Sequence, residues 1–157
     1  MQRNFVIAVA AVLMAWGCST NKNVLLDEFK EVGTEKWSWN DARTFTFTVT
    51  EADYLYNLDC SLRITGNYKY SNIWLIYQLE GPEGSTKQQF QITLSDNTGK
   101  WLGKGNNNLI SYKQNMVSGL KLKPGKYTLK FNQNMRDENL EAVSDIGLKV
   151  YKGSRIF

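Results

Sequence analysis

The sequence predicts an all-β domain, an antiparallel β-sandwich whose strands could be joined in the jelly-roll manner. Three observations support this prediction. Apolar and polar residues alternate in several runs, which is the period of half-buried strands. Turn-forming residues separate these runs at short intervals, and no segment has the spacing of a convincing amphipathic helix. We therefore expect residues 24–157 to form a single β-sandwich domain of about seven strands, whose order is not readable from the sequence.

The first predicted strands flank a pair of tryptophans. Residues 24–29 are mostly apolar and could begin a strand, and residues 45–50 alternate between apolar side chains and threonine. Between them, Trp37 and Trp39 stand two residues apart, which places both rings on the same face of an extended segment. The pair could cover the core or form an exposed aromatic platform. We favour burial, because aromatic pairs on strands usually pack on a core.

The longest alternating run spans residues 54–65. Its apolar parity comprises Tyr54, Tyr56, Leu58, Cys60, Leu62 and Ile64. A desolvated thiol has a raised pKa and little reactivity, so we interpret Cys60 as a buried structural cysteine. In the next run, residues 73–79, both the odd and the even positions are apolar as far as Tyr77. This pattern suits an interior strand covered on both faces, or one whose outer face meets a partner.

Turns and glycines divide the middle of the chain. A turn at residues 80–84 precedes an alternating strand at residues 90–94, and a second turn follows at residues 96–99. Trp101 then stands among three glycines. It could cover the sheet from a bulged hairpin, or the loop could present it to a partner. Residues 109–117 could form a strand or a short helix.

The C-terminal third contains two more alternating strands. A Pro-Gly turn precedes residues 127–135, in which Gln133 falls on the inward parity. A buried amide needs hydrogen-bond partners, so Gln133 should bridge strands or line a polar cleft. Arg136 and Asp137 follow this strand. They could form an ion pair on the surface, or the arginine could contact a carboxylate of a partner protein. The apolar positions of residues 146–155 form the last strand.

The N-terminus has the layout of a bacterial lipoprotein signal. Arg3 precedes an apolar run at residues 5–14, and small residues lead to Cys18. The run is too short to span a bilayer, which takes about 20 apolar residues. We therefore predict a cleaved signal at residues 1–17, a lipid on Cys18 that anchors the chain to a membrane, and a short tether through residue 23. The alternative is an ordinary secreted protein with an incidental cysteine, because Ala stands three residues before it where such signals usually carry Leu.

Composition excludes several classes of site. The chain has 19 basic and 15 acidic residues and no histidine. The absence of histidine excludes the Ser-His-Asp triad and histidine-ligated metals. The small excess of basic over acidic residues is not the concentrated positive charge that is typical of nucleic-acid-binding proteins. If Cys18 is lipidated, Cys60 alone cannot build a zinc site; a disulfide between the two would instead remove the lipid site. We expect no catalytic residue, metal or cofactor, because no spacing pairs the carboxylates of Asp53, Asp59, Asp96 and Asp145.

Short motifs along most of the chain resemble one family. They are Leu62-Arg63, residues 70–75 (YSNIWL), residues 99–105 (GKWLGKG), residues 124–127 (PGKY), residues 133–136 (QNMR) and residues 146–150 (IGLKV). Their order and spacing are similar to those of the GldH family of gliding-motility lipoproteins from Bacteroidetes-type bacteria. The resemblance implies an envelope lipoprotein that serves the gliding machinery and the associated type IX secretion system, without enzymatic activity. One departure lies at residues 141–143, where the resemblance implies a Gly-Ile pair and only local packing should change.

Two functional hypotheses follow. The first is a tethered docking protein that contacts envelope or motility proteins through Trp101, Gln133 and Arg136. The second is a carbohydrate-binding sandwich, whose aromatic candidates are Trp37, Trp39, Trp74 and Trp101. Coplanar rings on one open face would favour glycan binding, whereas buried rings would count against it. Ser19 follows the cysteine and residues 19–23 contain no acidic run, so by the sorting rules of lipoproteins we expect the chain on the periplasmic face of the outer membrane.

Overall fold

The computed structural model describes residues 22–32 and 36–156. The predicted signal, Cys18 and most of the tether lie outside the described residues. Within them, no helix is long and apolar enough to cross a membrane. The described chain forms eleven strands: β1 Val24–Glu31, β2 Trp37–Ser38, β3 Arg43–Val49, β4 Tyr54–Ile64, β5 Asn72–Gly81, β6 Gly84–Thr93, β7 Lys104–Asn106, β8 Leu109–Lys121, β9 Gly125–Gln133, β10 Asn139–Leu140 and β11 Val143–Arg155.

Two antiparallel sheets pack face to face. Five strands form one sheet in the order β1-β11-β4-β8-β7, and four form the other in the order β3-β9-β5-β6. The short strands β2 and β10 make a separate pair. The predicted β-sandwich is confirmed, and its strand order joins elements from opposite ends of the chain, such as β1 and β11.

The core lies between the two sheets and uses the inward parity of each long strand. The Phe45 ring on β3 lies edge-on to Phe131 on β9, with centroids 5.8 Å apart, and Phe47 stacks on Tyr127 at 5.5 Å. Such pairs add to the hydrophobic stabilisation of burial. Cys60 is fully buried, and burial raises the pKa of its thiol, which confirms the structural interpretation of this residue.

Two open questions from the sequence are settled along β5 and β8. Residues 109–117 belong to strand β8, not to a helix. Strand β5 is interior to its sheet, but only its inward residues Ile73, Leu75 and Tyr77 are buried. Its outward residues Trp74 and Ile76 are half-exposed, so within the described part of the chain the outer face of β5 is not fully covered.

The two tryptophans near the N-terminus have different environments. Trp37 is fully buried, and its indole Nε1 donates to the Asp41 carbonyl at 2.8 Å. Trp39 is 42% exposed. The expected burial is therefore confirmed for Trp37 and wrong for Trp39. The reason is that β2 is only two residues long and the chain turns at Trp39, so strand periodicity does not extend across the pair.

Ala142 adopts a left-handed backbone conformation, with φ 64°. It is held there by a hydrogen bond from the Thr65 amide to its carbonyl, at 2.9 Å. This residue lies in the segment, residues 141–143, where the family resemblance implies a Gly-Ile pair, and its positive φ adds backbone strain there besides any change in local packing. A left-handed alanine carries a cost of roughly 1 kcal/mol that glycine avoids.

We expect Ala142→Gly to raise the free energy of unfolding by about 0.5–1 kcal/mol, because relief of the left-handed strain outweighs the added chain entropy. Urea denaturation followed by tryptophan fluorescence measures the change. The matched control is Ala52→Gly, at an exposed alanine that does not have positive φ, which should lower the stability. If both variants lower the free energy of unfolding, the left-handed backbone at Ala142 does not carry the proposed strain.

Candidate functional site

A groove runs from the outer face of the five-stranded sheet to its β8 edge, where Ile92 and Thr93 of β6 in the other sheet also line it. It encloses about 610 Å³ and is flanked by two apolar side chains that solvent reaches, Phe29 at 38% and Leu102 at 56% exposure. Antiparallel register aligns Phe29 on β1 with Gly147 on β11, Gly147 with Ser61 on β4, and Ser61 with Lys113 on β8. One row of residues therefore runs across four strands beneath the groove.

Small residues lie under and beside the Phe29 ring, Gly147 beneath it and Ser61 in the lining of the groove. Gly147 has no side chain, and the Phe29 ring lies over it so closely that an added Cβ would be 2.9 Å from two ring carbons. Ser61 beside it is also small. The Arg63 guanidinium carbon lies 3.9 Å from the centroid of the Phe29 ring, which is a cation–π contact. The placement of the Phe29 ring thus depends on the glycine at position 147, because a side chain there would displace the ring.

The groove has a positive lining. Arg63, Lys104 and Lys113 contribute cations, and none of its lining residues in the described chain carries a carboxylate. Carboxylates outside the lining offset part of this charge, since Arg63 Nη1 lies 4.0 Å from Asp145 Oδ2. Lys113 Nζ is 3.0 Å from the carboxylate of Asp59, and this hydrogen bond raises the pKa of the lysine. Asp59 itself is buried on the outer face of the sheet and accepts a second bond from Asn115 Nδ2 at 2.8 Å. The lysine therefore stays charged at neutral pH, and its ion pair with Asp59 offsets part of that charge.

Trp101 lies beside the groove without lining it. Its ring is half-buried and packs against the core, and it faces a second, polar pocket of about 530 Å³ that also contains Tyr70 and Asp96. The next residue, Leu102, faces the groove, and its amide donates to the Leu94 carbonyl at 2.9 Å. The loop singled out in the sequence thus contributes Leu102 to the groove and Trp101 to a separate pocket.

Gln133 is an internal bridge. Its side chain is only 2% exposed. The amide nitrogen Nε2 donates to the carbonyls of Trp37, Asp137 and Glu138 at 3.2, 2.9 and 3.1 Å, and Oε1 accepts the Met135 amide at 2.8 Å. The first of the two predicted alternatives, a bridge between strands, therefore describes this residue. Of the three predicted contact residues, it is the one without an accessible side chain.

Arg136 is exposed and makes no ion pair within the described residues. Its expected partner, Asp137, instead accepts a hydrogen bond from the Tyr70 hydroxyl at 2.7 Å, which raises the pKa of Tyr70. Because Tyr70 also lines the pocket of Trp101, this bond links the two regions that the sequence proposed for partner contact. Tyr70 thus lies in the pocket of Trp101 and is bonded to the residue that follows Arg136.

The four aspartates considered for catalysis have local partners. Asp53 pairs with Arg155 at 2.8 Å, and Asp96 Oδ1 accepts from the Thr98 and Lys100 amides, which closes a turn. Asp59 is bound as described above, and Asp145 accepts the Ser144 hydroxyl at 2.6 Å. Among the described residues, no group of three or more acidic or cysteine side chains could hold a metal ion.

Residues 24–150, which contain every strand except the end of β11, match the model of the GldH lipoprotein family. The chain belongs to the GldH lipoprotein family. Membership confirms the resemblance found in the short motifs and identifies the chain as a lipoprotein of the cell envelope. The matched residues include both sides of the groove, Phe29 and Leu102.

Two relatives align along most of their length with this GldH-family chain. The gliding motility lipoprotein GldH of Flavobacterium johnsoniae is 29% identical over 156 residues, which covers 94% of this chain and 96% of the relative. The GldH homolog of Christiangramia forsetii is 25% identical over 146 residues, covering 85% and 87%. Dimeric latent PorU from Porphyromonas gingivalis has a TM-score of 0.28 at 14% identity, over 83% of this chain and 13% of that one. A likeness at that level carries no argument about fold or function.

Proposed function

We propose that this chain is a non-enzymatic accessory lipoprotein of gliding motility, and that it supports the associated type IX secretion machinery by binding other envelope proteins. The names of its two relatives support the motility assignment. The observation that carries the docking mechanism is the groove, where solvent-exposed Phe29 and Leu102 stand beside three cationic side chains. Protein interfaces concentrate binding energy in aromatic and arginine side chains of this kind.

Anchoring determines where the groove can act. Cys18 carries the lipid in this proposal, with acyl chains such as palmitate, and the domain faces the periplasm from the outer membrane. Ser19 in place of an aspartate, and the lack of an acidic run before residue 24, support this location by the sorting rules of such lipoproteins. A membrane tether raises the effective concentration of the groove near membrane-bound partners, so weak contacts are sufficient for assembly.

The partner segment that fits the groove is apolar with neighbouring carboxylates. The Phe29 ring is held flat on Gly147 and against the Arg63 guanidinium, so little conformational entropy is lost when a partner covers it. Leu102 supplies the opposite apolar wall. Carboxylates on the partner would face Lys104 and Lys113.

We expect Leu102→Asp to reduce recovery of envelope partners about tenfold or more, because it places a carboxylate where an acidic, apolar segment binds. The measurement is quantitative co-purification after mild cross-linking in the native host. Leu109→Asp is the matched control, since Leu109 is also an exposed leucine, at 39%, but lies outside the groove. Unchanged recovery with Leu102→Asp, in protein that retains its circular dichroism spectrum, would overturn the choice of this groove.

The regions predicted from sequence are tested in the same assay. Trp101→Ala and Arg136→Ala alter the polar pocket and the exposed arginine without altering the groove. If these variants lose partners and Leu102→Asp does not, the docking site lies at the Trp101 pocket and Arg136 and not at the groove.

A further inference from the structure

We propose that the outer face of the four-stranded sheet binds a neutral glycan chain. This site shares no lining residue with the docking groove. It is centred on a depression of about 370 Å³ lined by Trp39, Ile76, Asn132 and Asn134, among others. Cross-strand register extends the surface, because Asn132, Ile76 and Gln89 form one row across three strands, and Trp74 pairs with Gln91 in the next row.

Trp39 is an immobilised aromatic surface. Its backbone amide donates to the Glu138 carbonyl at 3.0 Å, its indole Nε1 donates to the Met135 carbonyl at 3.0 Å, and its carbonyl accepts from Asn132 Nδ2 at 2.7 Å. One of these hydrogen bonds orients the ring and the other two hold its backbone, yet 42% of the residue remains exposed. An exposed ring that is already ordered can stack on the apolar face of a sugar with little further loss of entropy.

Side-chain amides on the same face of the sheet have unused hydrogen-bonding capacity. In the described part of the chain, the amide groups of Gln89, Gln91 and Asn134 make no hydrogen bond. An amide offers donors and an acceptor side by side, which matches adjacent sugar hydroxyls, each of which can donate and accept. The half-exposed ring of Trp74 lies between these amides and provides a second apolar surface.

The charge on this face favours a neutral ligand. Glu80 and Lys130 point outward from the same sheet and pair with each other at 3.1 Å, and Gln78 Nε2 also donates to Glu80. Lys87 is the charged residue that lines the depression among the described residues. One lysine among several amides is a poor match for an acidic chain, whereas stacking and amide hydrogen bonds match an uncharged one.

The test is affinity electrophoresis of the full-length protein in a non-ionic detergent that lacks a sugar head group. Native gels contain hydroxyethylcellulose, dextran or laminarin, with alginate as the anionic comparison. We expect at least one neutral polysaccharide to retard the protein, and Trp39→Ala and Asn134→Ala each to weaken that retardation about tenfold. Trp39→Tyr, which keeps an aromatic surface, should retain most of the binding.

A matched control separates this face from the rest of the surface. Asn108→Ala removes an exposed loop asparagine that lines neither this depression nor the Trp101 pocket, and this variant should bind like the wild type. No retardation in any neutral gel would overturn the proposal, as would wild-type retardation of both Trp39→Ala and Asn134→Ala. Retardation in alginate alone would also overturn it, in favour of non-specific attraction to the basic residues.

Discussion

Gln133→Met is expected to lower the free energy of unfolding by about 3 kcal/mol. Methionine keeps the length and approximate volume of the side chain but has neither the amide donor nor the acceptor. The substitution therefore leaves the Met135 amide and the carbonyls of Trp37, Asp137 and Glu138 without this partner. Groups of this kind cost about 1–3 kcal/mol each when buried and unsatisfied, and less where water reaches them.

Urea denaturation followed by tryptophan fluorescence measures this loss. Gln89→Met provides the control, since Gln89 is exposed on a strand and its amide makes no hydrogen bond within the described residues. That variant should change stability by less than about 0.5 kcal/mol. A loss below about 1 kcal/mol with Gln133→Met would mean that water replaces the amide, and that this residue does not anchor the segment after β9.

Cys18→Ala is expected to move the protein from the membrane fraction into the soluble fraction, or to leave it uncleaved at the inner membrane. The reason is that acyl chains contribute about 0.8 kcal/mol per buried CH₂, and no other anchor is predicted once residues 1–17 are removed. Cell fractionation, with metabolic labelling by an alkyne-bearing palmitate, measures both localisation and lipid attachment. The folded sandwich should be unchanged, because this cysteine precedes the domain.

The second cysteine provides the control for that experiment. Cys60 is fully buried between the sheets and is a free thiol, so Cys60→Ala should leave labelling and membrane attachment intact. Processed, membrane-bound protein from Cys18→Ala would contradict the lipid anchor and the tethered docking that depends on it. Loss of the palmitate label in Cys60→Ala, but not in Cys18→Ala, would mean that the lipid is attached to Cys60 and not to Cys18.

The two outer faces of the sandwich differ in chemistry, which allows one small domain to carry two surfaces. The five-stranded sheet presents an apolar groove with cations, suited to an acidic protein segment. The four-stranded sheet presents tryptophan and amides with paired charges, suited to a neutral glycan. A lipoprotein with both surfaces could hold a protein partner and a polysaccharide of the envelope at the same time, and the Leu102 and Trp39 variants separate these contributions.

Strand periodicity explains which predictions succeeded. The alternation over residues 54–65 and 127–133 correctly gave the buried parity, including Cys60 and Gln133, because one face of each strand meets the core. The same rule failed at Trp39, where a two-residue strand ends in a turn. It also did not decide whether the outer face of β5 is covered, because this strand has apolar residues at both its odd and its even positions.

The chain by itself determined the all-β class, the inward residues of the long strands, the excluded chemistries and the family, because each depends on local pattern or on short motifs in order. Only the tertiary structure decided the surfaces. Phe29, Gly147 and Leu102 come together through the pairing of β1 with β11 and the return of the loop before β7. Trp39 meets Asn132 across 93 residues of chain. Such neighbours depend on strand order and register, which are set by packing of the whole sandwich and leave no periodic signal in the sequence.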